Sequence, residues 1–303
     1  MGDFIIGFLN ATLRIATPLI FATLGELFCE RAGILNLGIE GTMFFGAFAG
    51  FAVAAKTGSL IVGLLAAILS GVLAGLLMSL LAVVLGVNQH VSGLGITLLL
   101  TALALFSFRL IFGSNRVLPQ IPTFSQIKLF GDIPILGPIF TQYGLTYAAI
   151  LLIPICAWVI YRTNFGLNLR SVGMNPESTD AAGINVYRLR TIALMIGSGL
   201  IAVGGAFLSI AQLGTFTFGI VNGRGWVCIA LIIFANWEPI RVFWGALLFG
   251  GVSSLQMRLQ TTGLQLPYEL FLALPYIVTI IALSLAGRNA SYPTAMLKPY
   301  KRE

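Results

Sequence analysis

Charge is scarce in this chain. Only 9% of its residues are Asp, Glu, Lys or Arg, against about 25% in an ordinary soluble domain. A surface so poor in charge cannot face water over most of its area, which excludes a soluble fold. Period-two alternation is missing from the apolar runs, and that disfavours a membrane β-barrel. His90 is the single histidine, and the three cysteines, Cys29, Cys156 and Cys228, are isolated in apolar surroundings. With no CxxC and no Cys/His cluster, neither a disulfide framework nor a metal site is expected. A Walker A motif is absent, so the chain has no P-loop of its own. Paired carboxylates, HExxH and a Ser/Lys nucleophile pattern are also missing, which argues against an intramembrane enzyme. The N-terminus lacks the basic n-region of an ordinary signal peptide and the Ser or Thr needed for myristoylation.

What is abundant is apolar: 58% of the residues are hydrophobic and the mean hydropathy is +0.97. About nine apolar segments can be marked, near 4–25, 34–55, 60–85, 92–112, 143–161, 191–211, 223–236, 241–256 and 268–287. The expected fold is an all-α polytopic membrane protein of about 9 (8–10) transmembrane segments in one domain, 1–303. Several segments are shorter than the roughly 20 residues of a full span, or are broken by Gly and Asn. These read as half-helices or as helices shielded by their neighbours. The net charge of +7 reads as loop charge holding segments in the cytoplasm, not as a nucleic-acid footprint.

Basic residues set the orientation. Arg162, Arg170, Arg188 and Arg190 lie in one loop, and Arg288, Lys298, Lys301 and Arg302 lie in the tail. Both are expected in the cytoplasm. Counting spans backwards places the proline-containing stretch 113–142 outside, with Pro119, Pro122, Pro134 and Pro138, and puts the N-terminus outside too. Arg14, Arg31, Lys56, Arg109, Arg116 and Arg258 near segment ends read as snorkelling side chains. Trp237 reads as an interface anchor.

Two short stretches echo one another: "GILNLGIEG" from Gly33 and "GIVNGRGW" from Gly219. About five marked spans lie between them, so the copies are expected on opposite faces, as in an inverted repeat with broken helices. Glu40, between Gly38 and Gly41, is an acid inside an apolar run. It reads either as a functional intramembrane carboxylate or as an internal cap on a broken helix; the neighbouring glycines favour the cap. Small residues at helical spacing, Gly71, Gly75 and Ser79, read as a close helix–helix contact.

The long polar stretch "GLNLRSVGMNPESTDAAGINVYRLR", from Gly166, is the exception to all this. Asn175 is a good N-cap and Pro176 suits the first helical position. Glu177 and Asp180 favour the positive end of the helix dipole, and Gly183 suits a left-handed stop. A two-turn helix is expected there, preceded by a shorter turn over 164–172 that Gly173 closes. Two capped pieces too polar for lipid make a preformed docking knob.

This stretch resembles the cytoplasmic coupling segment of ABC importer permeases, within the branched-chain amino acid, ribose and nucleoside permease family. The stretches "ERAGILNLGIEGTM", "NQHVSGLGI" and "GWVCIALIIFANWEP" are similar to its nucleoside branch, the one linked to basic membrane lipoproteins. The resemblance implies that Arg170, Gly173, Asn175, Pro176, Glu177, Ala181 and Gly183 meet an ABC ATPase within a coupling segment at 162–190. It also implies ATP and Mg on that partner and none in this chain, a second, non-identical permease subunit, an extracytoplasmic substrate-binding lipoprotein, and residence in the cell membrane. Asn36, Asn88, Gln89, Ser92, Asn222 and Trp226 have the chemistry of a nucleoside path, with helix–helix hydrogen bonding as the plainer use of each. Branched-chain amino acids or sugars are the alternative cargo. An ion-coupled secondary transporter is the rival class, for which Glu40 and Glu269 are the available intramembrane acids.

Overall fold

The structure, a computed structural model, describes residues 2–113, 119–128, 140–261, 268–286 and 291–300. Pro134, Pro138, Arg116, Arg288, Lys301 and Arg302 lie outside the described residues. Each of the nine apolar stretches becomes a helix: α1 (Gly2–Arg31), α2 (Ile39–Thr57), α3 (Leu60–Ser79), α4 (Gln89–Phe112), α5 (Gly144–Arg162), α8 (Val186–Ala206), α9 (Arg224–Phe234), α10 (Pro239–Thr261) and α11 (Tyr268–Ala286). Between α5 and α8 lie α6 (Asn164–Met174) and α7 (Pro176–Ala181). Two π-helical segments, π1 (Leu80–Val84) and π2 (Phe207–Leu213), prolong α3 and α8. A two-stranded antiparallel ribbon pairs β1 (Gln126–Lys128) with β2 (Thr141–Tyr143).

Six helices are long and apolar enough to cross a membrane among the described residues. That is fewer than the expected nine spans. The shortfall is in α2, α9 and α11. α2 carries Glu40 and Lys56 at its ends, and α9 has 11 residues, about 16 Å, or half of a hydrocarbon core of about 30 Å.

The core is α1 packed against α8. Gly25 and Gly197 sit at their crossing: a Cβ on Gly25 would lie 2.3 Å from the Gly197 carbonyl oxygen, and one on Gly197 would lie 2.5 Å from that of Gly25. α3 packs on α8, and α10 packs on α1. The α3–α8 contact uses the small residues read from the sequence. Gly71 meets the Ser198 carbonyl, Gly75 meets that of Leu194, and the Ser79 and Thr191 hydroxyls are 2.6 Å apart. On the other side, Gly250 of α10 meets the Thr12 carbonyl of α1. α1 and α8 thus take equivalent places while running in opposite directions, the arrangement of an inverted repeat.

In each half the chain then turns back into the bundle. After α1, residues 32–38 return from the end that carries α6 and α7. Their Ile34 and Asn36 are buried. After π2, residues 214–223 return from the opposite end, where Gly214 accepts a hydrogen bond from Ile121 N–H at 2.8 Å. Phe216 anchors this second return, its ring 5.0 Å from that of Phe44 and 5.3 Å from that of Phe108. Ile34, Asn36, Phe216, Ile220 and Val221 are buried in protein, which lets non-helical backbone lie there, while Phe218, Gly219 and Asn222 of the second return are exposed.

Candidate functional site

The two returning segments meet at Glu40. Its carboxylate accepts from Gly223 N–H at 2.8 Å and from Gly225 N–H at 2.7 Å. Both donors belong to the start of α9, whose first N–H groups have no helical partner. Glu40 stands in the first turn of α2. One side chain therefore joins the N-terminal ends of the broken helices of both halves and satisfies two N–H groups at the start of α9. Gly225 allows the approach, since a Cβ there would sit 2.7 Å from the Glu40 Cα.

The first return is held by α1, α4 and α8. Glu26 Oε1 accepts from Asn36 N–H at 2.8 Å, and Gln89 Oε1 accepts from Leu35 N–H at 2.9 Å. Asn36 Oδ1 accepts from Gly38 N–H at 3.1 Å. Gly41, inside α2, faces the Thr97 backbone of α4, and Thr97 donates its hydroxyl to the Leu37 carbonyl at 2.9 Å. Asn88 caps α4 by accepting from His90 and Val91 N–H groups. Ser92 is buried. Of the six path residues read from the sequence, Asn36 and Gln89 thus tie backbone together and Asn88 caps a helix. Asn222 and Trp226 are exposed on either side of the α9 start. None of the six is among the residues that line the cavity beside π2.

That cavity, of 410 Å³, opens beside π2 at the end opposite α6 and α7. Asn10, Arg14 and Pro18 of α1, Gln212 of π2 and Arg224 of α9 line it. None of these was read from the sequence as a path residue. Arg14 was read as a snorkelling cation, but its guanidinium lies over the Tyr143 ring at 5.6 Å and its Nε is buried without a hydrogen-bond partner. The signal that could have found it is Pro18, one turn on. Proline offers no N–H to the Arg14 carbonyl and so breaks the helix ladder beside that residue.

At the other end, the α6–α7 pair is built as the caps foretold, with two corrections. Asn175 Oδ1 accepts from Ser178 N–H at 3.0 Å, Pro176 is the first residue of α7, and Gly183 has φ +86°. Gly173 does not close α6, however; the helix continues to Met174 because Asn175 supplies the break. Gly173 is instead a contact point, where a Cβ would meet the Arg31 carbonyl oxygen of α1 at 2.1 Å. α7 has six residues, shorter than two turns. Arg170 lies over the Tyr161 ring at 5.3 Å, while Glu177 and Ala181 are exposed.

Trp237 is not an interface anchor. It is 2% exposed, and its Nε1–H donates to Glu30 Oε2 at 2.5 Å. Arg31 does not snorkel either. Its Nη2 donates to the Trp237 carbonyl at 2.7 Å and to the Tyr161 hydroxyl at 3.2 Å. Arg190, read as loop charge, is buried and donates to the Ala32 carbonyl at 3.1 Å. Residues 291–300 fold over this end. Ala295 N–H donates to the Gly173 carbonyl at 3.0 Å, and Ser291 N–H donates to Asn236 Oδ1 at 2.9 Å. Among the described residues no His/Cys/Asp/Glu group could hold a metal ion.

A multi-pass all-α membrane protein whose halves run in opposite directions, and whose broken helices meet inside the bundle, is built as a transport protein. Its sequence places it further: the chain belongs to the family described as branched-chain amino acid transport system / permease component, which matches residues 8–283. It is 37% identical to the putative glucose ABC transporter permease protein TsgC13 of Haloferax volcanii, over 99% of each chain. It is 35% identical to the guanosine ABC transporter permease protein NupQ of Bacillus subtilis, over 96% of this chain and 95% of that one. With the nucleoside ABC transporter permease protein NupC of Lactococcus lactis the identity is 37%, over 92% of each. No solved structure matches the chain. The protein is an integral, multi-pass permease subunit of the cell membrane.

Proposed function

We propose that this chain forms half of the translocation pathway of an ATP-driven nucleoside importer. The observation that carries the reading is the α6–α7 pair: a capped, polar projection seated on the end of α1 through Gly173 and the Arg31 carbonyl. A projection seated that way can pass a push to the central helix. Arg170, Gly173, Asn175, Pro176, Glu177, Ala181 and Gly183 shape the surface that a separate ATPase, holding ATP and Mg, would press. Arg162, Arg170, Arg188 and Lys298 gather at the same end, which supports a cytoplasmic position. The described residues of the 113–142 stretch, 119–128 and 140–142, then face outward, where a substrate-binding lipoprotein would deliver cargo. The relatives NupP and NupQ of Bacillus subtilis are both named guanosine ABC transporter permease proteins. That pairing supports a second, non-identical permease beside this chain.

Nucleosides are favoured because two of the three relatives described above are named for guanosine or nucleoside transport. A sugar is the second reading, favoured by the glucose permease of Haloferax volcanii. Uptake of radiolabelled uridine and guanosine by cells carrying the whole transporter, competed with glucose, ribose and leucine, decides between them. Competition by unlabelled nucleosides alone is the expected result. Competition by a sugar or by leucine, with none by nucleosides, would overturn it. Membranes holding this chain without its partners should show no uptake.

A further inference from the structure

The 410 Å³ cavity beside π2 is within the size range of small-molecule sites, about 300–1,000 Å³. It lies at the end from which an importer receives cargo, and it reaches inward to the start of α9. Its polar lining is rich in donors. Arg14 and Arg224 each carry five N–H donors and no acceptor. Neither forms an ion pair with a carboxylate among the described residues, where the ion pair found is Arg241–Glu238. Arg224 spends part of its fork on the Ile220 and Val221 carbonyls, at 3.1 and 2.9 Å. Arg14 is different. Its Nε is buried with no partner, which costs free energy and leaves the two terminal nitrogens of the guanidinium for a ligand in the cavity to meet. Two breaks in regular helix flank it, Pro18 in α1 and the π2 segment; π-helical turns occur often at functional sites. Asn10 is fixed from outside the cavity by Gln142, whose Nε2 donates to Asn10 Oδ1 at 3.1 Å.

Resting on the nucleoside reading, we propose that this cavity reads the base of the cargo, with Arg14 as the specificity-determining residue for 6-oxopurine nucleosides. The reasoning is geometric. A guanidinium fork matches two neighbouring acceptors, and the N7 and O6 edge of guanine or hypoxanthine presents such a pair. Adenine places an amino donor at the same position, and cytosine likewise carries an amino donor at position 4. The Tyr143 ring, 5.6 Å from the guanidinium carbon, covers one side of the fork.

Inosine and adenosine test this, because they differ at position 6. Their uptake is measured side by side in cells expressing the whole transporter, with the binding protein unchanged, for wild type, Arg14→Gln and Arg14→Lys. The wild type should favour inosine. Arg14→Gln should lower the inosine-to-adenosine uptake ratio about tenfold, the scale of one bidentate pair, whatever the change in total uptake. Arg14→Lys keeps the charge over Tyr143 and loses the fork, so it should shift the ratio the same way. It carries the test if Arg14→Gln fails to reach the membrane. A wild type without inosine preference, or a ratio unmoved in whichever variant is inserted, overturns the proposal while nucleoside import stands. Uptake of glucose or leucine with no nucleoside uptake would instead remove the reading on which it rests.

Discussion

At the scale of single residues, Glu40 explains how two broken helices can end inside a bundle. A backbone N–H left buried without its acceptor costs about 1–3 kcal/mol, and Glu40 accepts from two at the start of α9. Glu40→Ala leaves both donors without that partner. It should lower the stability of the purified transporter by about 3 kcal/mol, read as a drop in thermal unfolding temperature in detergent. Glu40→Gln, which keeps one acceptor, should fall between. Glycine contacts make a second residue-scale case. A Cβ on Gly205 would lie 1.8 Å from the Met43 carbonyl, whereas nothing approaches one on Gly95 within 4 Å. Gly205→Ala should therefore separate α2 from α8 and cost about 1–3 kcal/mol or more. Gly95→Ala should be neutral or slightly stabilising. The glycines beside Glu40 favoured a cap over a free acid, but only Gly38 stands at the helix start, while Gly41 lies inside α2 and faces the Thr97 backbone. The partners of Glu40 were not legible in the sequence: Gly223 lies 183 residues away, and no local pattern reports such a contact.

At the scale of elements, α6 and α7 were the most legible part of the chain, because capping is local chemistry: Asn175, Pro176 and Gly183 act within one turn of themselves. What the sequence did not reveal is the route from α6 to the re-entrant segment, since it runs through tertiary contacts. Arg170 lies over Tyr161, whose hydroxyl accepts from Arg31; Arg31 holds the Trp237 carbonyl, and the Trp237 ring donates to Glu30. One turn back along α1, Glu26 holds Asn36 of the return. Contiguity alone does not demonstrate coupling, but a double-mutant cycle measures it. Trp237→Phe keeps the ring and removes the donor. Arg170→Ala removes the cation. If α6 drives α1 through this cluster, each variant should depress substrate-stimulated ATP hydrolysis while basal hydrolysis stays, and the pair should be non-additive by about 0.5–2 kcal/mol. Additive effects would mean that α6 acts on α1 through the Gly173 contact alone. The misreading of Trp237 has the same origin as the missed route. An aromatic at a segment end looks like a membrane anchor until a buried acid on another helix claims its N–H.

At the scale of the whole molecule, the inverted packing ties local observations to a direction of transport. α1 and α8 cross at Gly25 and Gly197 in opposite senses, so the first return enters from the α6–α7 end and the second from the other. On the proposed reading, a push at the α6–α7 end would pass through the shared Glu40 junction, where the two returns meet, to the segment that enters from the other end. This requires that the two ends face different compartments. Gln120 and Ser178 are both exposed and lie at opposite ends, separated by the single long helix α5. The native thiols Cys29, Cys156 and Cys228 are all buried and should give little background to a membrane-impermeant maleimide. In intact cells Gln120→Cys should label and Ser178→Cys should not; in inside-out vesicles the pattern should reverse. Labelling of both from one side would mean that α5 does not cross. The basic end would then no longer be the cytoplasmic one, and α6–α7 could not receive work from an ATPase. Opposite labelling with the sides exchanged would keep the fold and reverse the direction, leaving the donor-lined cavity open to the cytoplasm, where it could not receive cargo from a binding protein outside.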